Sequence, residues 1–302
     1  MKNVLMFPGQ GSQYVKMCFD LYKHTTVKKL FDQTSEIIND DISKIMFEGP
    51  ENILTESKNA QVAILLHSYS LYSLIKDKIK FDAVCGHSLG EYSALLVADI
   101  FDFETAIKLV RKRGELMSFA GEKAKGSMVA VIGLDVSKIE KIVSSIEGVV
   151  VANYNGDAQT VISGTDEGID EVSKKLSEEG ARRVIKLNVS GAFHSPLMNY
   201  AYEEFSDFIE NFEFKKPKCY VLMNVSADFE DDPERIKKLL KEQIVSPVRW
   251  TQILKNLSKS GYENFYEIGP SKVLSGIARK MFPDKKVFSF EKDEEIKNFF
   301  KE

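Results

Sequence analysis

The sequence predicts an α/β protein that carries a smaller α/β unit inserted in its middle. Three observations predict it. Short apolar runs alternate with longer amphipathic ones along most of the chain. The early runs stop at glycine-bearing turns, as Gly9-Gln10-Gly11 does after the first one. A central stretch of roughly 65 residues follows the order β-α-β-β-α-β, the split βαβ or ferredoxin-like pattern.

The elements follow in order. Asn3–Pro8 is an apolar strand that ends at Gly9-Gln10-Gly11-Ser12-Gln13. A polar helical stretch runs from Lys28 to Phe47. Gln61–Ile75 is apolar throughout and long enough for a buried helix. Phe81–Cys85 is a compact strand, Glu91–Ala98 with its small residues the helix after it, and Phe103–Ala120 a further helix. In the middle, Ser127–Gly133, Gly148–Asn153, Gln159–Ser163 and Arg183–Val189 read as strands. Ser137–Ser145 and Ile169–Glu179 read as helices, and Asn155-Gly156-Asp157 is a turn signal. The alternation then resumes with helix Pro196–Phe212 and strand Tyr220–Asn224. Helix Pro233–Ile244, with proline near its start, strand Asn264–Ile268 and helix Lys272–Met281 complete the reading. The expected division is a large unit of residues 1–123 and 191–302 with a small one, 124–190, inserted.

Composition narrows the class. The 302 residues are 43% hydrophobic and 28% charged, as in globular chains and unlike collagen, coiled coils or disordered proteins. The net charge of −4 comes without a basic block, so nucleic acid is not an expected partner. No stretch approaches the roughly 20 apolar residues of a membrane span, and the first apolar run is too short for a signal peptide. Cys18, Cys85 and Cys219 are odd in number and widely spaced, so neither zinc nor a disulfide framework is expected. These points together read as a cytoplasmic protein.

Gly86-His87-Ser88-Leu89-Gly90 is a GxSxG between a strand and a helix. Such a turn crowds its backbone, so glycines flank a serine whose hydroxyl stands exposed above the sheet. The following helix aims free N–H groups and a positive dipole end at charge developing there. The bland alternative is a helix cap preceded by a turn. A nucleophilic serine needs a base, and the chain has four histidines. His24 lies in a lysine-rich polar stretch and reads as solvated, His67 as a core residue, and His87 as adjacent to Ser88 but pointing elsewhere. That leaves His194, where the small unit rejoins the large one, as the candidate base. The Gly9–Gln13 turn reads as an anion site, for phosphate or for an oxyanion beside Ser88. It lacks a third fingerprint glycine and a P-loop lysine, which favours the oxyanion.

Together these motifs resemble the malonyl-CoA:acyl carrier protein transacylases of bacterial type II fatty-acid synthesis. The resemblance runs nearly end to end: Phe7–Gln13, Gly86–Tyr92, Arg113-Gly114 with Met117, the segment around His194, the run Gln243 to Trp250, and Glu267-Ile268-Gly269-Pro270. It implies a hydrolase-like α/β core with mostly parallel sheet and an inserted ferredoxin-like subdomain. It implies Ser88 as the acylated nucleophile and His194 as general base and acid, oriented by the main-chain carbonyl of Gln243 rather than by a carboxylate. The amides of Gln10 and Leu89 would form the oxyanion hole. Gln61 would line the site, although the family's proline after it is Val62 here.

Arg113, otherwise one basic residue of a solvated helix face, would pair with the malonyl carboxylate, which a guanidinium grips through two parallel bonds. Phe193 would leave little room for an α-methyl branch. The implied partners are malonyl-CoA and acyl carrier protein, which brings its own phosphopantetheine. No metal or redox cofactor and a monomeric state are expected. Lys272, Arg279 and Lys280 are candidates for meeting an acidic carrier protein. A serine hydrolase, a transacylase of a polyketide line and a non-catalytic carrier-binding module are the rival readings.

Overall fold

The structure, a computed structural model, describes residues 1–301. Its strands are β1 (Lys2–Phe7), β2 (Ala83–Gly86), β3 (Ser127–Ile132), β4 (Val149–Tyr154), β5 (Gln159–Gly164), β6 (Arg183–Lys186), β7 (Tyr220–Leu222), β8 (Phe229–Glu230), β9 (Tyr262–Ile268) and β10 (Lys286–Phe290). Six form one sheet in the order β10-β9-β1-β2-β7-β8, parallel throughout except for the β7–β8 pair. The other four form a wholly antiparallel sheet in the order β4-β5-β3-β6. The expected hydrolase-like α/β core with its ferredoxin-like β-α-β-β-α-β companion is therefore the observed architecture.

The sequence explains why the large sheet is covered on both faces. In β1 the run Val4–Phe7 is buried at every position. Successive side chains point to opposite faces, so Leu5 and Phe7 enter one apolar core while Val4 and Met6 enter another. Neighbouring β2 alternates in step, with Val84 on the first face and Ala83 and Cys85 on the second. Helix Ser57–Ile75 packs on the first face and is buried on almost every side, as its all-round apolar sequence requires. Each such Leu or Ile side chain withdrawn from water contributes about 1.5–3 kcal/mol before the entropy of ordering it is subtracted. The small sheet has a third core, in which Ile139 and Val143 of one helix and Ile169, Val172 and Leu176 of another cover Val129, Val131 and Ile162.

Several boundaries differ from the sequence reading. The stretch Lys28–Phe47 is two helices, Thr25–Ile38 and Ile42–Phe47. Asn39 adopts the left-handed conformation that ends the first, and the Asp41 carboxylate accepts from the Lys44 N–H to cap the second. Pro196–Phe212 starts as a 3-10 turn, Pro196–Met198, before helix Asn199–Ile209. β6 stops at Lys186, so residues 187–189, expected as strand, are a connecting segment instead. Helices Glu51–Thr55, Trp250–Lys259 and Asp293–Phe300 and strands β8 and β10 were not anticipated.

The two sheets meet where the chemistry gathers. β1 and β2 end at Phe7 and Gly86 on the same edge of the parallel sheet, the edge at which open α/β sheets bind ligands. The segment after helix Pro233–Glu242 crosses to the small sheet. There the Val248 N–H donates to the Ala152 carbonyl (2.8 Å), and its carbonyl accepts from the Tyr154 N–H (2.9 Å).

Candidate active site

Ser88 sits between the end of β2 and the start of helix Gly90–Val97 with φ of +51°, a left-handed conformation costly for a residue with a Cβ. The flanking glycines make the turn possible. A Cβ on Gly86 would lie 1.9 Å from the Gly90 carbonyl carbon, and one on Gly90 would lie 2.0 Å from the Phe7 carbonyl oxygen. Asn224, just past β7, pins the elbow from below. Its Oδ1 accepts from the Ser88 N–H at 2.7 Å, and its Nδ2 donates to the Gly86 carbonyl at 2.6 Å.

The Ser88 hydroxyl lies 2.8 Å from His194 Nε2. On the other side of the ring, Nδ1 faces two main-chain carbonyls, Gln243 at 2.8 Å and Ser246 at 3.2 Å. Carbonyl oxygens only accept, so the ring proton resides on Nδ1 and the lone pair of Nε2 faces the serine. His194 itself has a φ of +58°. The next residue steadies it: Ser195 Oγ donates to the Ala192 carbonyl and accepts from the Leu197 N–H, capping the 3-10 turn. No carboxylate lies within hydrogen-bonding distance of the ring among the described residues.

Burial pushes the His194 imidazole far below its ordinary 6.5, to about 3, and the Arg113 charge adds to the shift. The base is thus neutral in the free protein at any pH near 7. His194 should therefore bring no loss of kcat/KM for serine acylation near pH 6.5, where an ordinary histidine base would be protonated. Stability should follow the same group. The unfolded chain takes up this proton below about 6.5 and the folded chain does not, so His194 lowers stability as pH falls towards 3. Stopped-flow acylation and thermal melts across that range check both.

Arg113, on helix Phe103–Lys123, is 1% exposed. Its Nη1 donates to Gln61 Oε1 at 2.8 Å, and its Nη2 donates to Gln243 Oε1 at 2.9 Å and to Ser88 Oγ at 3.1 Å. The guanidinium is no solvated helix face: it is buried, aimed at the serine and held by neutral amides. Tyr92 stacks beneath it with the ring centre 5.4 Å from the guanidinium carbon. Gln61 continues to Gln10, whose Nε2 donates to Ser57 Oγ at 3.0 Å.

The main-chain N–H groups of Gln10, which lines the cleft with Ser88, and of Leu89, the residue after Ser88, have no internal partner among the described residues. Phe193 is buried and lines, with Gln10, Ser88, Arg113, Met117 and His194, a cleft of about 310 Å³. Of the residues expected at the site, Gln10, Ser88, Arg113, Phe193 and His194 line this cleft, whereas Gln61, Leu89 and Gln243 are fully buried behind it. Of the other histidines, His67 is in the core with Nε2 at 2.9 Å from the Glu291 carbonyl. The His87 ring turns from Ser88 to Asn155 Oδ1, 2.8 Å away. His24, read as solvated, is instead half-buried, with Nε2 at 2.7 Å from Asp293.

The basic trio fares differently. Lys272 precedes its helix and pairs with Glu295, and Arg279 donates to the Val287 carbonyl. Lys280 lines a separate groove of about 470 Å³ with Val273, Ile277 and Met281.

Two functional neighbours escaped the sequence reading, Asn224 and Glu91. The Glu91 carboxylate is fully buried below the elbow, accepting from the Asn224 N–H and the Gln243 side-chain amide. Burial pushes this carboxyl upward, and those two donors and the Arg113 charge oppose the shift. No group of three or more His, Cys, Asp or Glu residues that would hold a metal occurs among the described residues.

A serine raised on a strand-to-helix elbow, its hydroxyl against a lone-pair imidazole and two idle amides beside it, is the equipment of enzymes that pass an acyl group through a serine ester. Comparison with known proteins narrows the class. The family model for acyl transferase domains matches residues 4–292, and the chain belongs to that family. It is 41% identical to the malonyl CoA-acyl carrier protein transacylase of Staphylococcus aureus (strain MRSA252), across 99% of this chain and 98% of that protein. Among solved structures, an acyl carrier protein S-malonyltransferase from Vibrio cholerae superposes with a TM-score of 0.95 at 34% identity, covering 99% and 100% of the two chains. A malonyl-transacylase solved with a type II PKS acyl-carrier protein gives 0.96 at 31% identity, covering both chains fully.

Proposed function

We propose that this chain moves the malonyl group from malonyl-CoA to the phosphopantetheine thiol of acyl carrier protein, in fatty-acid synthesis, by a ping-pong cycle through malonyl-Ser88. The observation that carries the substrate is Arg113. A buried guanidinium with a face towards the serine and only neutral partners calls for an anion, and an acyl group ending in a carboxylate supplies one. Phe193 beside it favours the unbranched malonyl group.

In the first half-reaction His194 Nε2 takes the proton as Ser88 Oγ bonds to the thioester carbon. The oxyanion rests on the Gln10 and Leu89 N–H groups. The carbon–sulfur bond then breaks, and the departing CoA sulfur takes the proton from Nε2. In the second half-reaction the pantetheine thiol gives its proton to Nε2 and attacks the ester. The carbon–oxygen bond breaks, and Ser88 regains its proton. The Gln243 carbonyl holds the imidazole in register through both steps. The chain itself needs no cofactor on this reading, which also takes it to be a cytoplasmic monomer. We infer further that the cleft lies between the inserted subdomain, 124–190, and the remainder, 1–123 with 191–302.

Arg113→Ala is the test. Intact-mass measurement of acylation by malonyl-CoA and acetyl-CoA should show the wild type preferring malonyl. The variant should lose about 10²-fold in malonyl transfer, the loss of a charge-assisted bidentate pair, while acetyl transfer stays level or rises. An unchanged preference would sink the clamp. Rapid CoA release with no adduct would point to a hydrolase. The relative solved with a PKS carrier protein supports a second reading, a polyketide carrier as acceptor, which transfer rates to the two carriers separate.

A further inference from the structure

Resting on the function just proposed, we infer that Glu91 is a positioning residue whose carboxylate fixes the side-chain amide of Gln243, and through it the malonyl-selecting posture of Arg113. The argument is one of donors and acceptors. Gln243 Nε2 has two neighbours, the Ser88 main-chain carbonyl at 2.9 Å and the Glu91 carboxylate. Both are acceptors, so both require the NH2 side of the amide to face them. The Gln243 oxygen is thereby turned to the opposite side, where it meets Arg113 Nη2 at 2.9 Å.

The carboxylate is in turn committed on its other oxygen, which accepts from the Asn224 N–H. Glu91 thus faces a donor at each oxygen, and a carboxylate is the side chain that satisfies both. It makes no direct ion pair with Arg113 among the described residues, so its hold on the guanidinium passes through the amide.

Position 91 explains the geometry locally. It lies three residues beyond Ser88, in the first turn of helix Gly90–Val97, so its side chain falls beneath the elbow rather than into the cleft. There it reaches Asn224 and Gln243, both distant in the chain.

Glu91→Gln keeps the volume and removes one acceptor. If its oxygen keeps the Asn224 N–H, its NH2 opposes the Gln243 NH2. If Gln243 turns over to relieve that, its own NH2 faces Arg113 and its oxygen faces the Ser88 carbonyl. Each arrangement sets like against like, and the Arg113 contact is lost or weakened. The experiment compares malonyl-CoA with acetyl-CoA in single-turnover acylation, for wild type, Glu91→Gln, Gln243→Met and the double variant. Gln243→Met removes the amide and retains the main-chain carbonyl that holds His194.

The expected result is a malonyl-over-acetyl preference about tenfold lower in both single variants, and no lower in the double variant than in Gln243→Met. A merely structural role would slow both acyl groups alike and leave the ratio intact, and that result would overturn the proposal. Additive losses in the double variant would overturn it too. Should Glu91→Gln fail to fold, Gln243→Met decides: an unchanged ratio overturns the proposal, and a lowered one supports it. A wild type with no malonyl preference would instead refute the underlying function.

Discussion

Ser88→Ala should take up no acyl group from malonyl-CoA, and its transfer rate should fall by more than about 10³-fold. The substitution removes the atom that the ester requires and little else. The N–H of residue 88 still reaches Asn224, and Arg113 Nη2 still has the Gln243 oxygen. Alanine bears the same left-handed backbone cost as serine, since both have a Cβ. The variant should therefore melt close to the wild-type temperature while its mass stays unchanged after incubation with substrate. An adduct on the folded Ser88→Ala protein would mean that another nucleophile carries the acyl group.

The second large effect is expected at His194. Replacing it with alanine should slow acylation by about 10²–10⁴-fold, the usual worth of a positioned general base. Both half-reactions should slow, because the same Nε2 handles the proton in each direction. Removing the ring also strips the Gln243 and Ser246 carbonyls of their shared donor, and water entering the gap would serve them. Single-turnover measurements of CoA release and of transfer to the carrier separate the two steps. Loss in one step alone would assign the histidine a narrower role than base and acid.

Much of this arrangement was legible in the sequence, for a physical reason. Buried parallel strands are short continuous apolar runs, so β1 and β2 announced themselves, and the turn signal at Asn155-Gly156-Asp157 separated two strands of the small sheet. Ser88 was readable because its elbow demands glycine on both sides. His194 emerged by elimination, which worked because the chain has few histidines.

What stayed hidden is what no local pattern encodes. Glu91 reads as an ordinary acidic residue in a helix's first turn, yet its partners lie 133 and 152 residues away. Asn224 reads as a strand end, and only the fold brings it under the serine. Arg113 could pass as one of three basic residues on a solvated face, because the Gln61 and Gln243 amides that receive it lie 52 and 130 residues away in the chain. Helix Trp250–Lys259 and strand β10 went unplaced, the latter a half-buried edge strand of five residues that begins at a lysine.

The bridge at Val248 has a consequence beyond the site. β4 is the outermost strand of the four-stranded sheet, and an outermost strand with bare N–H and C=O groups is a template for another chain. By occupying Ala152 and Tyr154, Val248 takes part of that template out of circulation. The segment that carries the Gln243 carbonyl to the histidine therefore also guards the molecule against edge-to-edge self-association. Excising the small sheet from its host would lay that edge open and invite the fragment to aggregate.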